Sequence, residues 1–144
     1  MFLELLYSLS CFCPLPGVFN LYYKNNFICK NEIMALMLLQ TLIGFTSDSY
    51  SLMYNNYLSH ILNKIDRIAV CCISLPSLFY VSHINQLKYI NNIQYLLSAI
   101  LFWYNGHTIH LNNKINNNKL YKLILWNHIS WHYFMGLYIY KLTS

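Results

Sequence analysis

Apolar residues fall into five long runs that are separated by short polar stretches rich in asparagine. The runs cover approximately residues 1–23, 31–54, 65–84, 90–107 and 120–142. A helix needs about 20 residues to cross the roughly 30 Å hydrocarbon layer of a membrane, and three of the runs reach that length fully. The ten-residue alternation that is typical of a membrane β-barrel is missing. The pattern predicts an all-α membrane helix bundle of four to five short spans, with residues 1–144 forming a single domain.

Breaks and boundaries within this pattern come from proline, glycine and acidic residues. The sequence PLPG at residues 14–17 predicts an interruption of the first run, and Pro76 predicts a kink in the third. Asn31 followed by Glu32 indicates the start of the second helix, because an acid is favoured at the positive end of the helix dipole.

The first run contains Glu4 and lacks a basic N-terminal region. We therefore expect a first membrane segment or a re-entrant piece rather than a cleaved signal peptide.

Composition supports a membrane protein and excludes several other classes. Hydrophobic residues make up 57% of the chain and charged residues only 9%. Soluble domains contain about 25% charged residues, and disordered chains contain few aromatic residues. The net charge is +5, but the basic residues are scattered, so we expect no nucleic-acid partner. The expected surroundings are the lipid bilayer and, in an organelle such as the mitochondrion, other membrane subunits.

Ionisable groups at membrane depth are costly, so their placement points to function. With five spans, Asp66 and most of the histidines lie toward the same membrane face, whereas His83 lies toward the opposite face. The histidines on the shared face are His60, His107, His110, His128 and His132.

The spacing of His128 and His132 is the most specific chemical feature in the chain. Residues four apart on a helix share one side, so both imidazoles could bind one metal ion with a third ligand from another helix. Zinc bound in this way activates water at neutral pH. Asp66 could orient a ligand or act as an acid or base. The alternative interpretation is structural: the histidines bond to neighbouring helices, and Asp66 pairs with Arg67 or caps its helix.

Three stretches together resemble the CREST superfamily of membrane hydrolases, which includes alkaline ceramidases and adiponectin-receptor-like and haemolysin III-like proteins. They are SLMYN from Ser51 to Asn55, Asp66 at the start of the next run, and HISWH from His128 to His132. The family pattern is a serine four residues before a histidine, an aspartate opening the next helix, and two histidines four apart in the last helix. The resemblance implies hydrolysis of a lipid amide, with Ser51 and Asp66 as catalytic residues and zinc on His128 and His132.

The chain departs from that family at one ligand. Asn55 stands where the family has its first histidine, so His60 or His107 would have to supply the third ligand. The chain also has fewer apolar runs than the family has spans. The function expected from the resemblance is a metal-dependent membrane hydrolase acting on a lipid amide or ester, or an inactive relative of one.

A second stretch favours a different cofactor. Residues 104–111 (YNGHTIHL) are similar to part of the haem-bearing membrane anchor of succinate dehydrogenase. This resemblance implies haem bound through His107, with quinone chemistry nearby. A third interpretation is a small structural membrane subunit of a respiratory-type complex, with no chemistry of its own.

Overall fold

The described part of the chain is almost entirely helical. The computed structural model describes the backbone of residues 2–24, 29–54, 57–84, 86–112 and 118–144. Side chains are described for the same ranges except at residues 24, 84, 86–88, 107–112 and 118. Within these ranges there is no strand, which confirms the all-α prediction.

The helices follow the five apolar runs in order, but the helix of the third run begins at Tyr57 rather than near residue 65, so Asp66 lies near the end of α4 and does not open a helix. The α-helices are α1 (Phe2–Leu9), α2 (Leu15–Lys24), α3 (Lys30–Met53), α4 (Tyr57–Ala69), α5 (Leu75–Ile84), α6 (Gln86–Asn112) and α7 (Asn118–Thr143). A 3-10 turn (Ser10–Phe12) links α1 to α2, and a π-helix (Val70–Ser74) links α4 to α5. The described residues therefore form five long helical stretches, two of which contain an interruption.

Both interruptions lie beside prolines at which the sequence predicts a break or a kink. After the 3-10 turn, the Cys13 N–H donates to the Ser10 carbonyl over 2.9 Å, and the chain then turns at Pro14. The π-helix ends two residues before Pro76. Proline lacks an N–H and its ring collides with the carbonyl four residues earlier in a regular helix, so the wider π-helix accommodates it.

Helix α7 is the centre of the packing, because α1, α2, α5 and α6 all contact it. Two glycines allow the first helical stretch to approach it closely. A methyl group on Gly136 would lie 2.5 Å from the Cys13 carbonyl oxygen, and one on Gly17 would lie 2.6 Å from the Tyr140 nitrogen. The 3-10 turn is consequently held directly against α7.

Among the described residues, two helical stretches are long and apolar enough to cross a membrane. They are Phe2–Tyr23 and Tyr57–His83, with mean hydropathies of 1.5 and 1.4. In the described part of the chain, more large hydrophobic side chains are exposed than are buried in the core. These features give weak support for membrane association, and the topology of four to five spans stays a prediction.

Substitution of Gly136 by alanine tests the close approach to α7. We expect Gly136→Ala to lower the free energy of unfolding by about 1–3 kcal/mol, because the backbone of Cys13 has to move. Gly44→Ala is the matched control, since its methyl group would meet nothing closer than 3.4 Å and should change stability by less than about 1 kcal/mol. Thermal unfolding in detergent, followed by circular dichroism, measures both. Equal stability of the two variants would contradict this packing.

Candidate metal centre

Four potential metal ligands converge in the interior of the bundle. They are Cys11 on the 3-10 turn, Asp48 on α3, and His128 and His132 on α7. One ligand atom from each residue lies within 4.8 Å of the other three. Cys11 and Asp48 are buried and the two histidines are half-buried, so the group is largely shielded from the surroundings.

The carboxylate of Asp48 links the contributions of the three elements. Its Oδ2 lies 2.8 Å from His128 Nε2, and the Cys11 thiol donates to the same oxygen over 3.0 Å. His128 Nε2 and His132 Nε2 are 3.0 Å apart, as expected for imidazoles one helical turn apart. Cys11 Sγ is 3.8 Å from His132 Nε2, which completes the group.

Hydrogen bonds alone do not satisfy all the contacts that His128 Nε2 makes with Asp48 and His132. A ring nitrogen carries either a proton or a lone pair, yet His128 Nε2 lies within hydrogen-bond distance of both Asp48 Oδ2 and His132 Nε2. If His128 Nε2 carries a proton, that proton can point along only one of the two contacts. If it carries a lone pair, the lone pair faces the carboxylate oxygen. A cation between the ligand atoms would accept every lone pair at once.

The distances and the ligand types fit a first-row transition metal. Zinc bonds of about 2.0–2.3 Å in a tetrahedron separate the ligand atoms by about 3.3–3.6 Å. The shortest contact in the group is 2.8 Å, between His128 Nε2 and Asp48 Oδ2, and all four ligand atoms lie within 4.8 Å of one another, so an ion could bind among them after small shifts of the side chains. Two imidazoles, a thiol and a carboxylate suit zinc rather than magnesium or calcium, which prefer oxygen. The cluster could thus hold a metal ion and is compatible with zinc.

Neighbouring side chains fix the orientation of the ligands. The ring of Tyr7 stacks on His128 with centroids 4.1 Å apart, and the Tyr7 hydroxyl donates to Asp48 Oδ1 over 3.2 Å. Ser51 Oγ donates to the Asp48 carbonyl over 2.9 Å and also hydrogen-bonds to Tyr7. Because these contacts engage Oδ1 and the backbone of Asp48, its Oδ2 is left to face the other ligands.

The structure places the predicted site residues at different distances from this centre. His128 and His132 belong to it, and Ser51 lies behind Asp48. Asp66 lies outside the four ligands but is close enough to interact electrostatically with Asp48 and His128. Its Oδ1 accepts a hydrogen bond from Gln40 Nε2 over 3.0 Å.

Gly44 separates Asp66 from the sulfur ligand. A methyl group at Gly44 would lie 3.4 Å from Asp66 Oδ1 and 3.5 Å from Cys11 Sγ. Asp66 and Cys11 therefore approach the same point of α3, and the absence of a side chain at Gly44 leaves only a narrow gap between them.

Of the two histidines expected as a third ligand, His60 is not part of the group of four. It is exposed on α4. His107 lies on α6, but its side chain is outside the described residues, as is Asn55. The haem interpretation of His107 consequently stays a prediction.

Cys11 and Asp48 are candidate ligands that the sequence analysis did not select. Asp48 is one of four acids in the chain and lies within an apolar run, which is a signal of function by itself. Cys11 gives no such signal, because its histidine partner is 121 residues away in the sequence. Its proximity to α7 depends on the packing of the first helical stretch.

No protein family matches the chain, and neither a curated protein nor a solved structure is significantly similar to it. The fold and the site define the chain as an all-α helical protein with a candidate metal centre of mixed ligands.

Metal content tests the centre directly. We expect the protein purified in detergent to bind about one zinc ion per chain, because the four ligand atoms match a tetrahedral site. The double variant His128→Ala/His132→Ala should lose this metal, since it removes both imidazoles. Elemental analysis after gel filtration provides the measurement.

The matched control removes histidines that lie outside the centre. His60→Ala and His83→Ala change exposed imidazoles and should leave the zinc content unchanged. Wild-type protein without stoichiometric metal, or loss of metal in His60→Ala, would rule out the ligand assignment.

Proposed function

We propose that this chain is a small multi-pass membrane protein with a metal-dependent hydrolase activity toward an amide or ester bond of a lipid. The observation that carries the proposal is the group of Cys11, Asp48, His128 and His132 inside a bundle with an apolar exterior. The spacing of Ser51, Asp66 and the two histidines that resembles the CREST superfamily also supports the proposal.

The distribution of polar residues supports a membrane location. Exposed side chains include Phe2, Phe79 and Trp103, whereas hydroxyl groups lie inside the bundle. There, Thr41 Oγ1 donates to the Met37 carbonyl over 2.9 Å. Such satisfied polar contacts inside an apolar shell are typical of helices in lipid. In the proposed topology, four or all five of the helical stretches cross the membrane.

The roles of the residues follow from their positions around the centre. Asp48, His128 and His132 hold the metal, and Tyr7 and Ser51 keep Asp48 in place. When bound, zinc polarises a carbonyl group and makes water nucleophilic at neutral pH. Asp66 is the residue that accepts the proton lost by water, because it is a second carboxylate near the centre that is not a ligand. Gln40 fixes the Asp66 carboxylate by donating to its Oδ1.

Substitution of Asp66 separates catalysis from metal binding. We expect Asp66→Asn to retain zinc and to lower the hydrolysis rate by about 10²–10⁴-fold, because the amide cannot accept the proton. The assay measures the fatty acid released from N-acylated long-chain amines and from phospholipid esters in mixed micelles. Zinc content is measured on the same preparations.

The control for Asp66 is an acid that lies away from the centre. Glu32 is exposed in the first turn of α3, so Glu32→Gln should keep the wild-type rate. Full activity of Asp66→Asn would remove Asp66 from the mechanism. Zinc-loaded wild-type protein that hydrolyses neither substrate class would contradict the proposed hydrolase.

A further inference from the structure

We infer that Cys11 is the fourth protein ligand of the metal and that it closes the centre, so the hydrolase opens a position for water only when Cys11 leaves. This inference rests on the proposed function. Catalytic zinc sites generally have three protein ligands and one open position, whereas sites with four protein ligands are structural. The arrangement of Cys11, Asp48, His128 and His132 corresponds to the closed type.

The position of Cys11 Sγ carries the inference. The sulfur lies 3.0 Å from Asp48 Oδ2 and 3.8 Å from His132 Nε2, so it takes the remaining corner of the group. Cys11 is buried, with 3% of its surface exposed, so it also shields that corner from the surroundings. A thiolate is a strong zinc ligand, and a water molecule would have to displace it to reach the metal.

The element that carries Cys11 differs from those that carry the other ligands. Asp48, His128 and His132 lie within long α-helices, whereas Cys11 lies on a 3-10 turn of three residues. Hydrogen bonds in a 3-10 helix are poorer than in an α-helix, and such short elements are frequent at functional hinges. The turn at Cys13 and Pro14 follows at once. Cys11 therefore lies on a different element from the other three candidate ligands, and the inferred departure moves its side chain rather than the backbone at Cys13, which packs directly on Gly136 of α7.

The same geometry allows one other role for Cys11. Its thiol could stay protonated and only donate to Asp48 Oδ2, over the observed 3.0 Å, as a residue that orients the carboxylate. In that case the metal has three protein ligands and an open position. The two roles differ in whether sulfur bonds to the metal, which spectroscopy can measure without any assay of activity.

Cobalt substitution distinguishes the two roles. Zinc is replaced by Co²⁺, and the near-ultraviolet absorption of the protein in detergent is recorded. We expect the wild-type protein to show the charge-transfer band of a cobalt–thiolate bond. Cys11→Ser should lose that band and still bind about one Co²⁺ through Asp48, His128 and His132. Cys13→Ser is the matched control and should keep the band, because Cys13 does not belong to the group.

Access of a small ligand provides the second measurement. We expect acetohydroxamate to shift the visible cobalt spectrum of Cys11→Ser, where a position is open, and to leave that of the wild type unchanged. A wild-type cobalt spectrum that lacks the thiolate band, or that shifts fully with acetohydroxamate, would overturn the closed centre and leave the proposed hydrolase standing. Wild-type protein that binds no Co²⁺ would instead overturn the metal centre itself, and with it both proposals. If Cys11→Ser fails to fold, the wild-type cobalt spectra with and without acetohydroxamate still show whether sulfur bonds to the metal and whether a position is open.

Discussion

The contact between Asp48 and its three neighbours is the interaction on which the account of this protein depends. Asp48 Oδ2 lies 2.8 Å from His128 Nε2 and 3.0 Å from the Cys11 sulfur, and both Asp48 and Cys11 are buried. A buried carboxylate is costly unless it is paired or bound to a cation. The convergence of further lone pairs on the same point makes a metal ion the simplest partner for all of them.

Close helix packing makes this convergence possible. Cys11 reaches His132 because Gly136 allows the backbone of Cys13 to lie directly on α7. Gly44 lies between Asp66 and Cys11, where even a methyl group would meet both at ordinary van der Waals distance. The positions without side chains thus determine where the reactive side chains meet, which links the packing of the bundle to its proposed chemistry.

The sequence predicted the helices better than it predicted the centre. Hydrophobic runs indicate helices locally, and the spacing of His128 and His132 defines a shared face, so both features are visible without a fold. The partners of that pair are Asp48 and Cys11, 80 and 121 residues away. No local pattern encodes such contacts, so His60 was expected where the structure has these two residues. The five-span topology remains a prediction, because only two stretches are long and apolar enough to cross a membrane among the described residues.

X-ray absorption at the zinc edge of the wild-type protein tests the central claim most directly, because it reports which atoms surround the metal. The account predicts a four-coordinate shell with two imidazole nitrogens, one oxygen and one sulfur, the sulfur at about 2.3 Å. A shell of oxygen atoms without imidazole scattering, or a protein that retains no zinc, would contradict it.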